Sequence, residues 1–210
     1  MDKRDFNKDA SSWDENPRRV QLAKEIAHSI RQQVRLSTTM DVLDFGCGTG
    51  LLAIELLPYV RSVTGVDSSA GMLEIFDRKI ADGKLDNVHT LHFDFDRGDT
   101  LQGRYDLVLS SMTLHHVREI GPLFVYLSRI LRPGGFLCLA DLDLDGGKFH
   151  ADNTGVFHFG FCREKLRKKF QEAGFEDIRD RDAAEVVKPA SDGAVEKFGI
   201  FLMTGRKGSK

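Results

Sequence analysis

The chain has 210 residues, 30 Lys and Arg against 32 Asp and Glu, and a formal net charge of −2. With 41% hydrophobic and 30% charged residues it can bury a core without staples, which excludes disordered and fibrous classes. The near-neutral balance excludes partners recruited by bulk positive field, and no apolar run approaches the length of a bilayer span.

Apolar strand-like runs alternate with amphipathic helical runs along most of the chain, the pattern of a mainly parallel sheet covered by helices. The opening stretch MDKRDFNKDASSWDE is polar, carries the only tryptophan, Trp13, and lacks the apolar segment of a secretory leader. Asn16 and Pro17 supply a cap and a first helical residue, and Val20, Ala23, Ala27, Ile30 and Val34 recur at helical steps. Strands are expected at Met40–Phe45, Ser62–Val66, Val88–Phe93, Tyr105–Leu109 and Phe136–Ala140. Between them, helices follow the turn at Gly46–Gly50 and a cap at Ser68 or Ser69, where Leu73, Phe76 and Ile80 form a buried stripe. A further helix carries Leu123, Leu127, Ile130 and Leu131 and is stopped by Arg132-Pro-Gly-Gly135. Leu166, Phe170 and Ala173 mark a last helix ending at Gly174. The stretches 176–179 and 198–204 have no helix between them and read as an antiparallel pair, and Lys207–Lys210 reads as a polar tail. The fold class is α/β: a doubly wound, Rossmann-like, mainly parallel seven-stranded sheet with an antiparallel C-terminal strand. Cys47, Cys138 and Cys162 show neither disulfide nor metal spacing, which fits a reducing cytoplasm, and no metal is implied.

The segment Val42-Leu-Asp-Phe-Gly-Cys-Gly-Thr-Gly50 runs a strand into a turn built of glycines and out into a helix. Glycine there permits positive φ and lets a ligand approach the backbone, at the strand ends where open α/β sheets bind ligands. A dinucleotide fingerprint needs its third glycine or alanine at position 51, which is Leu, and a phosphate loop needs a Lys-Ser or Lys-Thr that does not follow. A tight turn without ligand is the bland alternative. Seventeen residues after Gly50, Asp67 ends the second strand. A carboxylate there can accept from both hydroxyls of a ribose, or simply favour the start of the next helix.

In order and spacing, VLDFGCGTG, VTGVDSS, FDFD, YDLVLSSMTLHHV and LRPGGFL resemble the class I S-adenosylmethionine-dependent methyltransferases. The resemblance is close over about residues 40–141 and loose at both ends. It implies an enzyme of one domain over 1–210, with an arm and helix at 1–35 over the cofactor site and an insert at 142–162 after the fifth strand. It implies S-adenosylmethionine as cofactor. Asp44 with Gly46, Cys47, Gly48 and Gly50 would meet its methionine part, Asp67 and Ser68 its ribose, and Met72 and Phe95 its adenine. Asp94, or its rival Asp96, would accept from the adenine amino group, and Ser110 with its neighbours would line the methionine part and the reaction centre. Trp13 would lie over the cofactor or anchor the core.

Methyl transfer is an in-line displacement, so the protein supplies position, and a base only where the acceptor atom carries a proton. His116 and His115, after the fourth strand, are the candidate catalytic residues, with His150 and His158 behind them; each could equally be a packed loop histidine. Phe149, Phe157, Phe159 and Phe161 would wall an apolar pocket or pin the loop to the core. The basic run Arg163–Lys169 reads as the wet face of a helix. Ser110-Ser-Met-Thr113 replaces the Asn/Asp-Pro-Pro-aromatic motif of nucleobase and amide N-methylation. The expected activity is methyl transfer to a small molecule. Transfer to RNA or protein, and a non-catalytic binding module, remain as alternatives, and the oligomeric state is left open.

Overall fold

Strand β1 (Asp41–Phe45) is buried on both faces, as a central strand of a parallel sheet must be when helices cover each side. The computed structural model describes residues 4–189 and 195–208. Two 3-10 turns (Phe6–Lys8, Ala10–Glu15) lead into helix α1 (Pro17–Gln33), where the Asn16 side chain accepts from the Arg18 N–H at 3.0 Å and Pro17 opens the first turn. After β1 come α2 (Leu51–Leu56), β2 (Ser62–Asp67), α3 (Ala70–Gly83), β3 (Val88–His92), β4 (Tyr105–Ser111), α4 (Ile120–Ile130), β5 (Leu131–Leu142), α5 (Arg163–Glu172), β6 (Phe175–Pro189) and β7 (Val195–Lys207). Ser69, rather than Ser68, caps α3 by accepting from the Met72 N–H.

The seven strands lie in the order β3-β2-β1-β4-β5-β7-β6. All neighbouring pairs among the first five are parallel, while β7 runs antiparallel to both β5 and β6. Strand order reverses between β1 and β4, so their carboxyl ends open a crevice, the usual ligand position in doubly wound sheets. One face buries Val42, Leu107 and Leu109 under Ile26, Ile30, Leu52, Leu56 and Phe76 of α1, α2 and α3. The other buries Leu43, Val108 and Leu139 under Leu123, Phe124, Leu166 and Phe170 of α4 and α5. The two-residue alternation along each strand feeds both cores.

Three expectations are corrected. The fifth strand starts before Phe136: β5 begins at Leu131 and runs through Arg132-Pro-Gly-Gly135, with a register shift against β4 and Gly134 at φ 76°. Such an irregularity is where a strand tolerates a residue without an N–H. The terminal strands are much longer than the apolar stretches that mark them, because alternate charged residues of β6 face water at a sheet edge and hide the strand from a hydrophobicity reading. Lys207 is no tail: its Nζ donates to the carbonyls of Ser128 and Leu131 at 2.6 and 2.8 Å. Ser209 and Lys210 lie outside the described residues, as do 1–3 of the arm. No helix among the described residues is long and apolar enough to cross a membrane.

Candidate active site

The glycine turn is tied to the end of β2 by its own backbone: the N–H groups of Gly46 and Cys47 both donate to the Val66 carbonyl, at 2.8 and 3.0 Å. Asp67 closes the same bend. One oxygen accepts from Gly48 N–H and the other from Ser69 N–H, each at 2.8 Å. A carboxylate offers about four acceptor positions, so Asp67 keeps acceptor capacity for a hydroxyl donor. Gly48 has φ 53°, and a Cβ there would meet nothing within 4 Å, so the turn presents bare backbone toward open space. Gly50 differs. Its φ is 79° and a Cβ would lie 2.2 Å from the Phe76 ring, so this glycine serves packing, and it is not in the cavity wall.

Asp44 is 1% exposed, and its Oδ2 has no hydrogen-bond partner among the described residues. Burial, with Asp67 nearby, pushes its carboxyl up to about 7. Burial also raises Asp67, against the pull of its N–H donors. A buried acid lacking a donor is unfavourable unless a cation or donor completes it.

The arm is fastened around the site at three points. Asn7 Oδ1 accepts from the Ser69 hydroxyl at 2.9 Å and the Gly71 N–H at 2.7 Å, at the start of α3. Thr49 of the glycine turn donates to Asp14 at 2.6 Å, and Lys79 bridges Asp14 and the Thr49 carbonyl. Phe6 packs edge-on against both Trp13 and His116, at 6.0 and 5.0 Å between ring centres. Trp13 is half-buried, stacked under the Arg19 guanidinium, and in the cavity wall, so it is not a core anchor.

Opposite stands a histidine cluster. His115 is buried, and its Nδ1 donates to the buried Asp141 carboxylate at 2.7 Å. His116 Nδ1 donates to the Gly155 carbonyl at 2.7 Å. His150, from the loop after β5, brings its Nε2 to 3.1 Å from His115 Nε2. Burial and the neighbouring imidazoles push His116 down to about 4 and His150 to about 3, so both are neutral near pH 7. His158 is elsewhere, against the Val117 carbonyl at 2.9 Å.

These groups line one cavity of about 520 Å³. Its wall contains Asp44, Gly46, Cys47, Gly48, Asp67, Ser68, Met72, Asp94, Phe95, His115 and His116. Asp96 is there as well, so both acids of the third motif face the cavity. Ser110 is not: its buried hydroxyl donates to the Phe45 carbonyl at 2.9 Å, and Ser111, Met112 and Thr113 take the wall position. Strand alternation turns Ser110 inward and its neighbour outward. Of the loop aromatics only Phe149 reaches the wall, while Phe161 is in the core and Phe159 is exposed. The basic run is indeed a helix face, with Leu166 and Phe170 inward and Arg163 paired to Asp143, Asp180 and Asp182.

Arg4, Arg18, Arg19 and Lys188, none of them among the expected site residues, also line the cavity. Lys188 lies 3.3 Å from the Phe149 ring centre and donates to the Phe149 carbonyl at 2.5 Å. Burial and the charges of Arg18, Arg19 and Arg4 lower it to about 8. The adjacent Arg18-Arg19 pair at a helix start was a local signal; Lys188 had none, because only the long β6 carries it back to the site.

The methyltransferase-domain family matches residues 42–135. An uncharacterized methyltransferase of Schizosaccharomyces pombe is 29% identical over 149 residues, 64% of this chain and 52% of that protein. The chain therefore spans about half the length of that relative. An O-methyltransferase of Pyrenophora dematioidea is 26% identical over 204 residues, 89% of this chain and 73% of that protein. The YcgJ protein of Bacillus subtilis superposes with a TM-score of 0.74 at 15% identity, covering 88% of this chain and 99% of that one, which is a likeness of fold. The chain carries a class I S-adenosylmethionine-dependent methyltransferase domain.

The cofactor of such a domain is S-adenosylmethionine, and the residues of this methyltransferase domain fit it. Asp44 Oδ2, buried and unpartnered, suits the cationic amino group of the methionine part. Gly48 leaves the cradle open, and Met72, 2% exposed, gives an apolar wall.

Proposed function

We propose that this chain transfers a methyl group from S-adenosylmethionine to a small, anionic acceptor. The observation that supports this most is the division of charge around one cavity. Asp44 and Asp67 act on each other beneath the glycine turn, while Lys188 feels Arg18, Arg19 and Arg4, and His116 and His150 feel Arg4. The acidic group suits a cofactor carrying an ammonium and ribose hydroxyls; the basic group suits an acceptor with a carboxylate or phosphate. In this reading Asp44 holds the amino group, Asp67 the ribose hydroxyls, and Asp94 or Asp96 the adenine amino group.

When bound, the cofactor supplies an electrophilic methyl on sulfur. The chain's part is to hold the acceptor atom in line with that carbon and keep water out. The arm, latched through Asn7 and Asp14, forms part of that enclosure. His116 is neutral and keeps its Nε2 lone pair because Nδ1 must donate to a carbonyl. It can therefore accept a hydrogen bond from an acceptor hydroxyl, thiol or amine. Three cysteines that are free among the described residues go with a cytoplasmic setting.

A second reading, an RNA acceptor, is favoured by the same four cations. The test is calorimetry with S-adenosylmethionine, followed by labelled-methyl transfer into separated metabolite, RNA and protein fractions. Saturable cofactor binding with label in anionic metabolites is expected. Label in RNA with salt-sensitive binding would replace the acceptor, and no cofactor binding would end the proposal.

A further inference from the structure

The geometry points to a divalent transition-metal site formed by His115, His116 and His150 at the acceptor side of the cavity. The three ring nitrogens lie within 4.8 Å of one another, and the pair His115 Nε2 and His150 Nε2 is 3.1 Å apart. Metal–nitrogen bonds of about 2.0–2.1 Å place two imidazole nitrogens of one ion roughly 2.9–3.4 Å apart, depending on the angle. That pair already stands at ligand spacing. His116 offers a third ring nitrogen within 4.8 Å of the other two.

The ring tautomers agree with this use. A carbonyl oxygen only accepts, so His116 Nδ1 carries the proton it gives to Gly155, and its Nε2 carries a lone pair. His115 is held through Nδ1 by Asp141, so Nε2 is the atom it turns toward His150. The Nδ1 atoms of two imidazoles are therefore held from behind, one by a buried carboxylate and one by a backbone carbonyl. These are the partners that orient metal-bound histidines. Asp141 is itself 1% exposed and adds the negative charge that a neutral three-histidine set lacks. A hydrogen-bonded relay alone accounts for His150, His115 and Asp141, but not for the approach of His116 to the same point.

Three neutral imidazoles suit zinc, iron(II), cobalt or nickel rather than magnesium or calcium, which want oxygen. Three protein ligands leave at least one position open, the pattern of a reactive rather than a structural ion. All three histidines line the cavity, so that position faces the acceptor. An anionic acceptor atom could complete the ion while Arg4 and Lys188 receive the rest of its charge. The metal site stands on the histidines alone; its role toward the acceptor rests on the methyl-transfer reading.

The test uses the full chain, tag-free and chelator-treated, titrated with Co²⁺ and Zn²⁺ without cofactor. One ion per chain is expected, with visible absorption of imidazole-ligated Co²⁺. His150→Ala and His116→Ala should each weaken binding at least tenfold. Asp141→Asn should weaken it roughly 10–100-fold while circular dichroism stays unchanged. The partly exposed His150 keeps the test decisive if changes at buried His115 or Asp141 prevent folding. No saturable binding below millimolar metal, or an unchanged isotherm in the His116→Ala/His150→Ala double variant, would overturn the site. Calorimetry with S-adenosylmethionine on the same metal-free sample separates the two readings: a protein that binds the cofactor but takes up no metal sinks only this site, and one that takes up metal but binds no cofactor sinks only the proposed function.

Discussion

Asp44 combines full burial with an unpartnered carboxylate oxygen, and both features follow from its place at the end of a central strand beside the glycine turn. Its folded carboxyl titrates at about 7 against 3.8 when unfolded. The cofactor-free native state therefore binds the extra proton, and the stability it contributes is present at low pH and lost as pH rises from about 3.8 through 7. Binding has the opposite sign. A cationic amino group needs the ionised acid, so cofactor affinity should climb as pH rises toward 7 and level off above it, with proton release on binding; calorimetry in two buffers across pH 5.5–8.5 reads both, and a flat profile would remove the role given to Asp44. Asp44→Asn should raise the melting temperature of the cofactor-free protein and lower cofactor affinity roughly 10–100-fold, the scale of a lost charged hydrogen bond. Equal affinity would count against the contact.

At the scale of elements, the connection between arm and α3 governs access. Asn7 replaces solvent for the Ser69 hydroxyl and the Gly71 N–H with one amide oxygen. Asn7→Ala should leave thermal stability within about 1 kcal/mol, because the contact is exposed at one end, yet speed proteolysis of the arm and weaken cofactor binding several-fold. An arm no more sensitive to protease than before would show that Asp14 and Phe6 hold it alone. The α2 start behaves differently. Gly50→Ala combines positive φ with a collision against Phe76 deep in one core. A loss of roughly 2–4 kcal/mol on chemical denaturation is expected, with cofactor binding recovered in whatever fraction stays folded. A neutral substitution would mean that Phe76 can move.

Across the whole molecule, the cavity is closed by segments far apart in sequence: the arm, the β1 and β4 ends, the loop after β5, and the far end of β6. Lys188 shows what this implies. It is positioned by Phe149 and by the hairpin pairing of β6 with β7, and it is absent from the cofactor contacts proposed here. Lys188→Ala should raise acceptor KM about tenfold while cofactor affinity stays within twofold. Because Lys188 is lowered to about 8, acceptor KM in the parent protein should also rise as pH passes 8 and the cation is lost. A parallel fall in cofactor affinity would place Lys188 at the other end of the cavity.

What the sequence by itself determined is whatever depends on local spacing: the α/β alternation, the glycine bend, the acid ending β2, the Asn16-Pro17 helix start and the antiparallel end. These rest on hydrogen bonds and backbone angles a few residues apart, so a contiguous segment encodes them. Ser110 misled because one step along a strand swaps the inward and outward faces, and β6 was underread because its exposed face is charged. Only the tertiary structure decided that His150 meets His115 and His116, that Asp141 stands behind them, and that Lys188 joins Arg18 and Arg19. Those contacts join residues brought together by chain crossovers and a long hairpin, whose geometry is set by packing of both sheet faces rather than by any one segment.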